Sequence, residues 1–229
     1  MNSKRSGHAI GYLNNYIFAI GGFVEGQDFS TKCEKFNIFS NEWKEIAPLN
    51  APANNPCACS FRGKFIFKFG GKSDDNILTN NIEMYNPLID KWSIIHIKFE
   101  QPIESFTILS SSACVQINPN HIFVFGGTFE DYSFKSKQSF LLYVPDDAVS
   151  DYIKAIQSTK LGPQNEYLIK GLNEKEMLFA EGFWNNTPII MNNEVYSLQN
   201  ITTEKNVNVV YLDRRRVMKF NSKEWFSYN

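Results

Sequence analysis

The sequence predicts an all-β chain assembled from repeated four-stranded units, and three observations carry that expectation. Apolar runs end in a glycine pair three times: YIFAIGG at Gly21-Gly22, FIFKFGG at Gly70-Gly71 and IFVFGG at Gly126-Gly127. Moving the first unit by 49 residues brings more than glycines into register: Glu34 falls on Glu83, Phe36 on Tyr85, Asn37 on Asn86 and Trp43 on Trp92. Segments such as Phe65-Ile66-Phe67 are apolar on both faces, as a sheet covered on both sides requires.

Within the first unit the elements follow in order. A first strand is expected over about 8–13, turned by Asn14-Asn15, because Asn tolerates the positive φ of a tight hairpin. A second strand, 16–20, stops at the glycine pair. A polar loop leads to a third strand near 32–37, and Trp43 opens a fourth. A shift of 105 carries Gly21 to Gly126, Ile17 to Ile122, Phe18 to Phe123 and Ala9 to Cys114. A weaker copy at a shift of 178 lays LNNYIFAI over MNNEVYSL, and a late KFNSKEW ending at Trp225 echoes the close of the first unit. The expected units are about 5–49, 56–98, 111–159 and 183–229. An irregular insertion is expected at about 160–182, with a possible short helix from Asn173.

A glycine pair after an apolar strand, then an aromatic, then a Trp seven residues on, resembles the kelch repeat. The first two units match that pattern closely. The third keeps the glycines and Tyr143 but lacks the Trp, with Tyr152 a stand-in, and the fourth keeps only the hairpin and Trp225. The resemblance implies a kelch-type β-propeller with four recognisable four-stranded blades. Four units against the six usual in the family, the first beginning soon after Met1, lead us to expect an incomplete ring. Its open ends would dock on another chain or on missing blades.

Composition narrows the function. The 229 residues are 43% hydrophobic and 15% aromatic, which argues against disorder. Lys plus Arg number 23 against 24 Asp plus Glu, and a balance so close gives no reason to expect a nucleic-acid or membrane partner. No apolar run is long enough for a signal peptide or a spanning helix. Four cysteines are too few for a disulfide scaffold, so reduced thiols and a cytoplasmic or cytoskeletal location are expected.

Candidate chemistry is sparse. No GxGxxG, GxxxxGK[ST] or GxSxG is present, and the three histidines fall at different phases of the repeat. Gly21, Gly22, Gly70, Gly71, Gly126 and Gly127 read as structural, letting backbones approach closely. Trp43, Trp92 and Trp225 read as wedges packed between blades. Cys57, Cys59 and Cys114 align with inner-strand positions and read as buried thiols, not as metal ligands. The loops after the glycine pairs carry Asp28, Asp74, Asp75, Glu130 and Asp131, the residues expected to meet a protein partner. The expected function is a non-catalytic protein–protein interaction scaffold with no cofactor and no metal. The competing reading is a kelch-type propeller enzyme, an oxidase or lyase.

Overall fold

A computed structural model of the chain describes residues 1–26, 29–73, 75, 77–99, 108, 110–128, 139–145, 167–172, 189–191, 194–198 and 217–221. Every regular element among them is a β-strand. The first sheet contains β2 (Ala9–Leu13), β3 (Tyr16–Ile20), β5 (Cys33–Asn37) and β6 (Glu42–Ile46), with β1 (Arg5–Ser6) pairing separately on β4 (Phe23–Val24). The strands lie in chain order and run antiparallel, within one residue of the boundaries expected for the first three. Asn14 and Asn15 take φ of 49° and 66°, so the pair turns the hairpin with both residues left-handed.

The second sheet repeats this order with β7 (Cys57–Phe61), β8 (Phe65–Phe69), β9 (Ile82–Asn86) and β10 (Lys91–Ile94). The third departs from the expectation. Its five strands are β11 (Ile97–Phe99), β12 (Ala113–Asn118), β13 (His121–Phe125), β14 (Ser139–Tyr143) and β15 (Tyr167–Leu172). β15 pairs antiparallel with β14, and β11 adds parallel to its outer side. The stretch 160–182, expected to stand outside the repeat, thus supplies the fourth strand of the third blade. β14 could not be left with an unpaired edge beside so apolar a sheet, and a strand late in sequence fills the place. A fourth sheet joins β16 (Ile189–Met191), β17 (Glu194–Leu198) and β18 (Val217–Asn221). Tyr152, Trp225 and the helix anticipated from Asn173 lie outside the described residues.

The sheets stack face to face. Alternation along each strand sends Phe18 and Ile20 of the first sheet toward Ile66, Tyr85 and Trp92 of the second. Phe18 meets Tyr85 edge-on, with ring centroids 5.8 Å apart. The opposite face of the second sheet sends Phe65, Phe67, Phe69 and Met84 against Ile122, Val124, Phe140 and Leu142 of the third. β8 and β9 are therefore buried along their whole length, as FIFKF anticipates.

The two expected tryptophan wedges differ. Trp92 packs on Tyr85 at 5.1 Å and is only 2% exposed between the first two blades. Trp43 repeats the geometry on Phe36 at 5.2 Å but stays half-buried. A wedge needs a blade on both sides, and Trp43 shares its face with Ile10 and Tyr12, which are 59% and 54% exposed. Among the described residues no blade covers that face, so Trp43 lies on an edge strand and is not enclosed as Trp92 is.

Candidate interaction surface

The site is built where each blade hands the chain to the next. All six glycines of the pairs have positive φ, from 56° to 101°. At Gly21 a side chain would also collide: a Cβ there would lie 2.6 Å from the Ala53 carbonyl oxygen. Ala53 belongs to the segment entering the second blade, and its carbonyl accepts a 2.7 Å hydrogen bond from Gly22 N–H. Next along, Asn54 exchanges two backbone hydrogen bonds with Lys72, the residue that follows Gly70-Gly71. Ser110 and Thr128 pair at the same place in the third blade. Each connection is thus held between consecutive glycine pairs.

A family model described as the Kelch motif matches residues 4–50. Kelch-like protein 35 of Mus musculus is 30% identical over 94 residues, covering 41% of this chain and 16% of that protein. Kelch-like protein 25 of Xenopus tropicalis is 31% identical over 98 residues, covering 39% and 16%. Kelch repeat protein M-T9 of Myxoma virus (strain Lausanne) is 22% identical over 122 residues, covering 52% and 21%. Residues 4–50 thus carry a kelch motif, and the chain is similar to kelch-repeat proteins. It spans between 16% and 21% of the length of these relatives.

In each of the first two blades, the third-strand glutamate holds the incoming connection. Glu83 is fully buried and its Oε2 accepts from Asn50 N–H at 2.9 Å and Asn50 Nδ2 at 2.7 Å. Glu34 does the same for residues 2 and 3, accepting from Asn2 N–H at 2.6 Å and Ser3 N–H at 3.2 Å. Burial alone would raise the Glu34 carboxyl. The Asn2 N–H and the Arg5 guanidinium, which donates to Oε1, outweigh burial and hold it below its ordinary value. Lys68 reaches Glu83 at 3.8 Å, and burial pulls its ammonium below the ordinary lysine range despite that charge.

The connections also bond to one another. Asn55 N–H donates to Gly7 O at 2.8 Å, and Ser111 N–H donates to Asn55 O at 2.7 Å. Gly7, Asn55 and Ser111 have φ of 59°, 52° and 57°, so one left-handed residue before each inner strand links three blades in a backbone chain. Sequence reasoning missed this set, because residue type varies from Gly to Asn to Ser while only the conformation repeats.

The second of the loops expected to carry recognition rises from this fixed base. Lys72 pairs with Leu78 as well as Asn54, so the loop holding Asp75 starts and ends on the connection. Asp75 is exposed. Asp28, Asp74, Glu130 and Asp131 lie outside the described residues. The opposite end of the blades carries the hairpin turns at 14–15, 38–41, 62–64 and 87–90.

All four cysteines are free and buried. Cys57 and Cys59 lie on the face of the second blade that meets Cys114 of the third. Burial first, and hydrogen bonding with Cys57 and Cys59 second, raise the Cys114 thiol well above its ordinary value. Among the described residues no group of three or more His, Cys, Asp or Glu could hold a metal ion.

Proposed function

We propose that the chain is a non-catalytic protein-interaction scaffold that presents the loops after its glycine pairs to a protein partner. The carrying observation is the pinned base of the second of those loops: Lys72 exchanges backbone hydrogen bonds with Asn54 of the connection and faces Leu78 across a β-bridge closed by Ser73 N–H to Ile77 O and Thr79 N–H to Gly71 O. A loop so anchored loses less conformational freedom on binding than a free one. The kelch-like relatives support the same reading, and fold likeness alone would not. The setting we propose is a cytoplasmic or cytoskeletal assembly, and four buried cysteines that remain free thiols suit a reducing compartment.

Cross-linking of the native chain, followed by identification of the cross-linked loop, tests the reading. The variant Asp74→Asn/Asp75→Asn/Glu130→Gln/Asp131→Asn should melt as the parent does, since charges in solvated loops generally add little stability. It should bind the partner more weakly and with less salt sensitivity. Unchanged binding at low salt, or cross-links confined to the opposite end, contradicts the assignment.

A further inference from the structure

The hairpin turns opposite the glycine pairs hold apolar side chains out into solvent. Phe39 in the turn between β5 and β6 is 79% exposed, and Leu88 in the turn between β9 and β10 is 84% exposed. Ile38 and Ile89 beside them are exposed as well. The two residues occupy the same phase of the repeat, 49 apart, and their turns are built alike. Asn37 Oδ1 accepts from Phe39 N–H at 2.9 Å, and Asn86 Oδ1 accepts from Leu88 N–H at 2.9 Å. The side-chain amides fix the turns, so the tips are presented, not left loose. An uncovered blade does not account for Leu88, whose sheet is packed on both faces.

Charge at this end departs from the balance of the whole chain. Lys64 and Lys91 are exposed in or beside the turns of the second blade. Lys35 and Lys44 of the first blade stand close enough to Asp90 to help hold it ionised. Among the described residues of the first two blades the carboxylates here are Glu42 and Asp90, and Asp90, though exposed, is engaged, its Oδ1 accepting from Tyr85 Oη at 2.7 Å and Ala47 N–H at 3.0 Å. Arg62 also lies at this end, its guanidinium donating to Pro119 O and Val144 O.

We propose that this turn end docks on an anionic lipid bilayer, with Phe39 and Leu88 as paired apolar anchors inserted between headgroups. Two separate protruding tips need matching pockets to be buried by a folded protein. A fluid interface accommodates them without such pockets, and the surrounding lysines complement anionic headgroups. The near-neutral total concealed this, because net charge does not report how charge is divided between ends.

Vesicle co-sedimentation of the whole chain tests it, using phosphatidylcholine alone and phosphatidylcholine with phosphatidylserine. Binding should appear with the anionic vesicles and fall roughly tenfold or more in Phe39→Asp/Leu88→Asp, as expected when inserted apolar groups are replaced by charges. Both sites are exposed, so the variant should keep the parent's melting temperature. In a separate Leu88→Trp variant, tryptophan emission should move to the blue on adding anionic vesicles. No binding by the parent overturns the proposal and returns the tips to a protein partner. Binding that survives the double substitution, or an unmoved emission, overturns it too.

Discussion

Glu83 takes two hydrogen bonds from Asn50 at one oxygen, while its other oxygen faces the Lys68 ammonium at 3.8 Å with no hydrogen bond of its own. One buried carboxylate thus fastens the connection between two blades and neutralises a buried cation. In the third blade the same two places, opposite one another two residues before the glycine pair, are Val124 and Phe140. The ion pair is therefore dispensable to the blade architecture but expensive to break on one side. Lys68→Met and Glu83→Gln should each destabilise, by up to about 3–5 kcal/mol for an orphaned buried charge. The double variant should lose much less than the sum. Urea denaturation of all four proteins measures the coupling, and strictly additive losses would contradict the pairing.

Acid stability should depend on Arg5. The Glu34 carboxyl is held below 4.5 in the folded chain, so it binds protons less readily there than when unfolded. Its contribution is therefore full above the unfolded value and is lost as pH falls through the folded one. Asp90 is depressed as well and titrates in the same region. Arg5→Met should flatten, without abolishing, the loss of melting temperature between neutral pH and pH ~3. Parallel curves for parent and variant would show that Arg5 does not set the Glu34 titration.

The thiols should be silent in the native protein. Burial pushes Cys33 up to about 12, and Cys114 is raised by burial and by its neighbouring thiols. Since the thiolate is the reactive species, Ellman's reagent at mildly alkaline pH should label none of the cysteines before unfolding and all four in urea. Rapid stoichiometric labelling of the native chain would contradict this packing.

What the sequence revealed and what it hid have physical reasons. The glycine pairs and second strands were legible because both positive φ and two-sided burial restrict residue type. The inner strands were read one residue out of register. β2 and β3 are joined by Asn14-Asn15, whereas β7 and β8 are joined by Arg62, Gly63 and Lys64. A gapless shift of 49 therefore set Cys57 on His8. In the structure Cys57 stands opposite Phe69 as Ala9 stands opposite Ile20. One residue reverses the face of a strand, so the meeting of Cys57, Cys59 and Cys114 across two blades was not readable. β15 was hidden differently, by a long excursion between β14 and its partner strand. The turn anchors Phe39 and Leu88 were visible as residues but not as exposed tips, because exposure depends on Asn37 and Asn86 holding the turns.

Consecutive blades bury one another, and among the described residues no blade covers the face of the first that carries Trp43. Thermal and urea melts of Trp92→Ala and Trp43→Ala, made side by side, test it most directly. Trp92 is enclosed by the first blade, so its loss should cost roughly 3–5 kcal/mol, as for a buried large aromatic. Trp43 packs mainly on Phe36, and its loss should cost less, about 1 kcal/mol or a little more. Equal, large losses at both positions would mean that the Trp43 face is covered, and equal, small losses would mean that the blades do not stack as described.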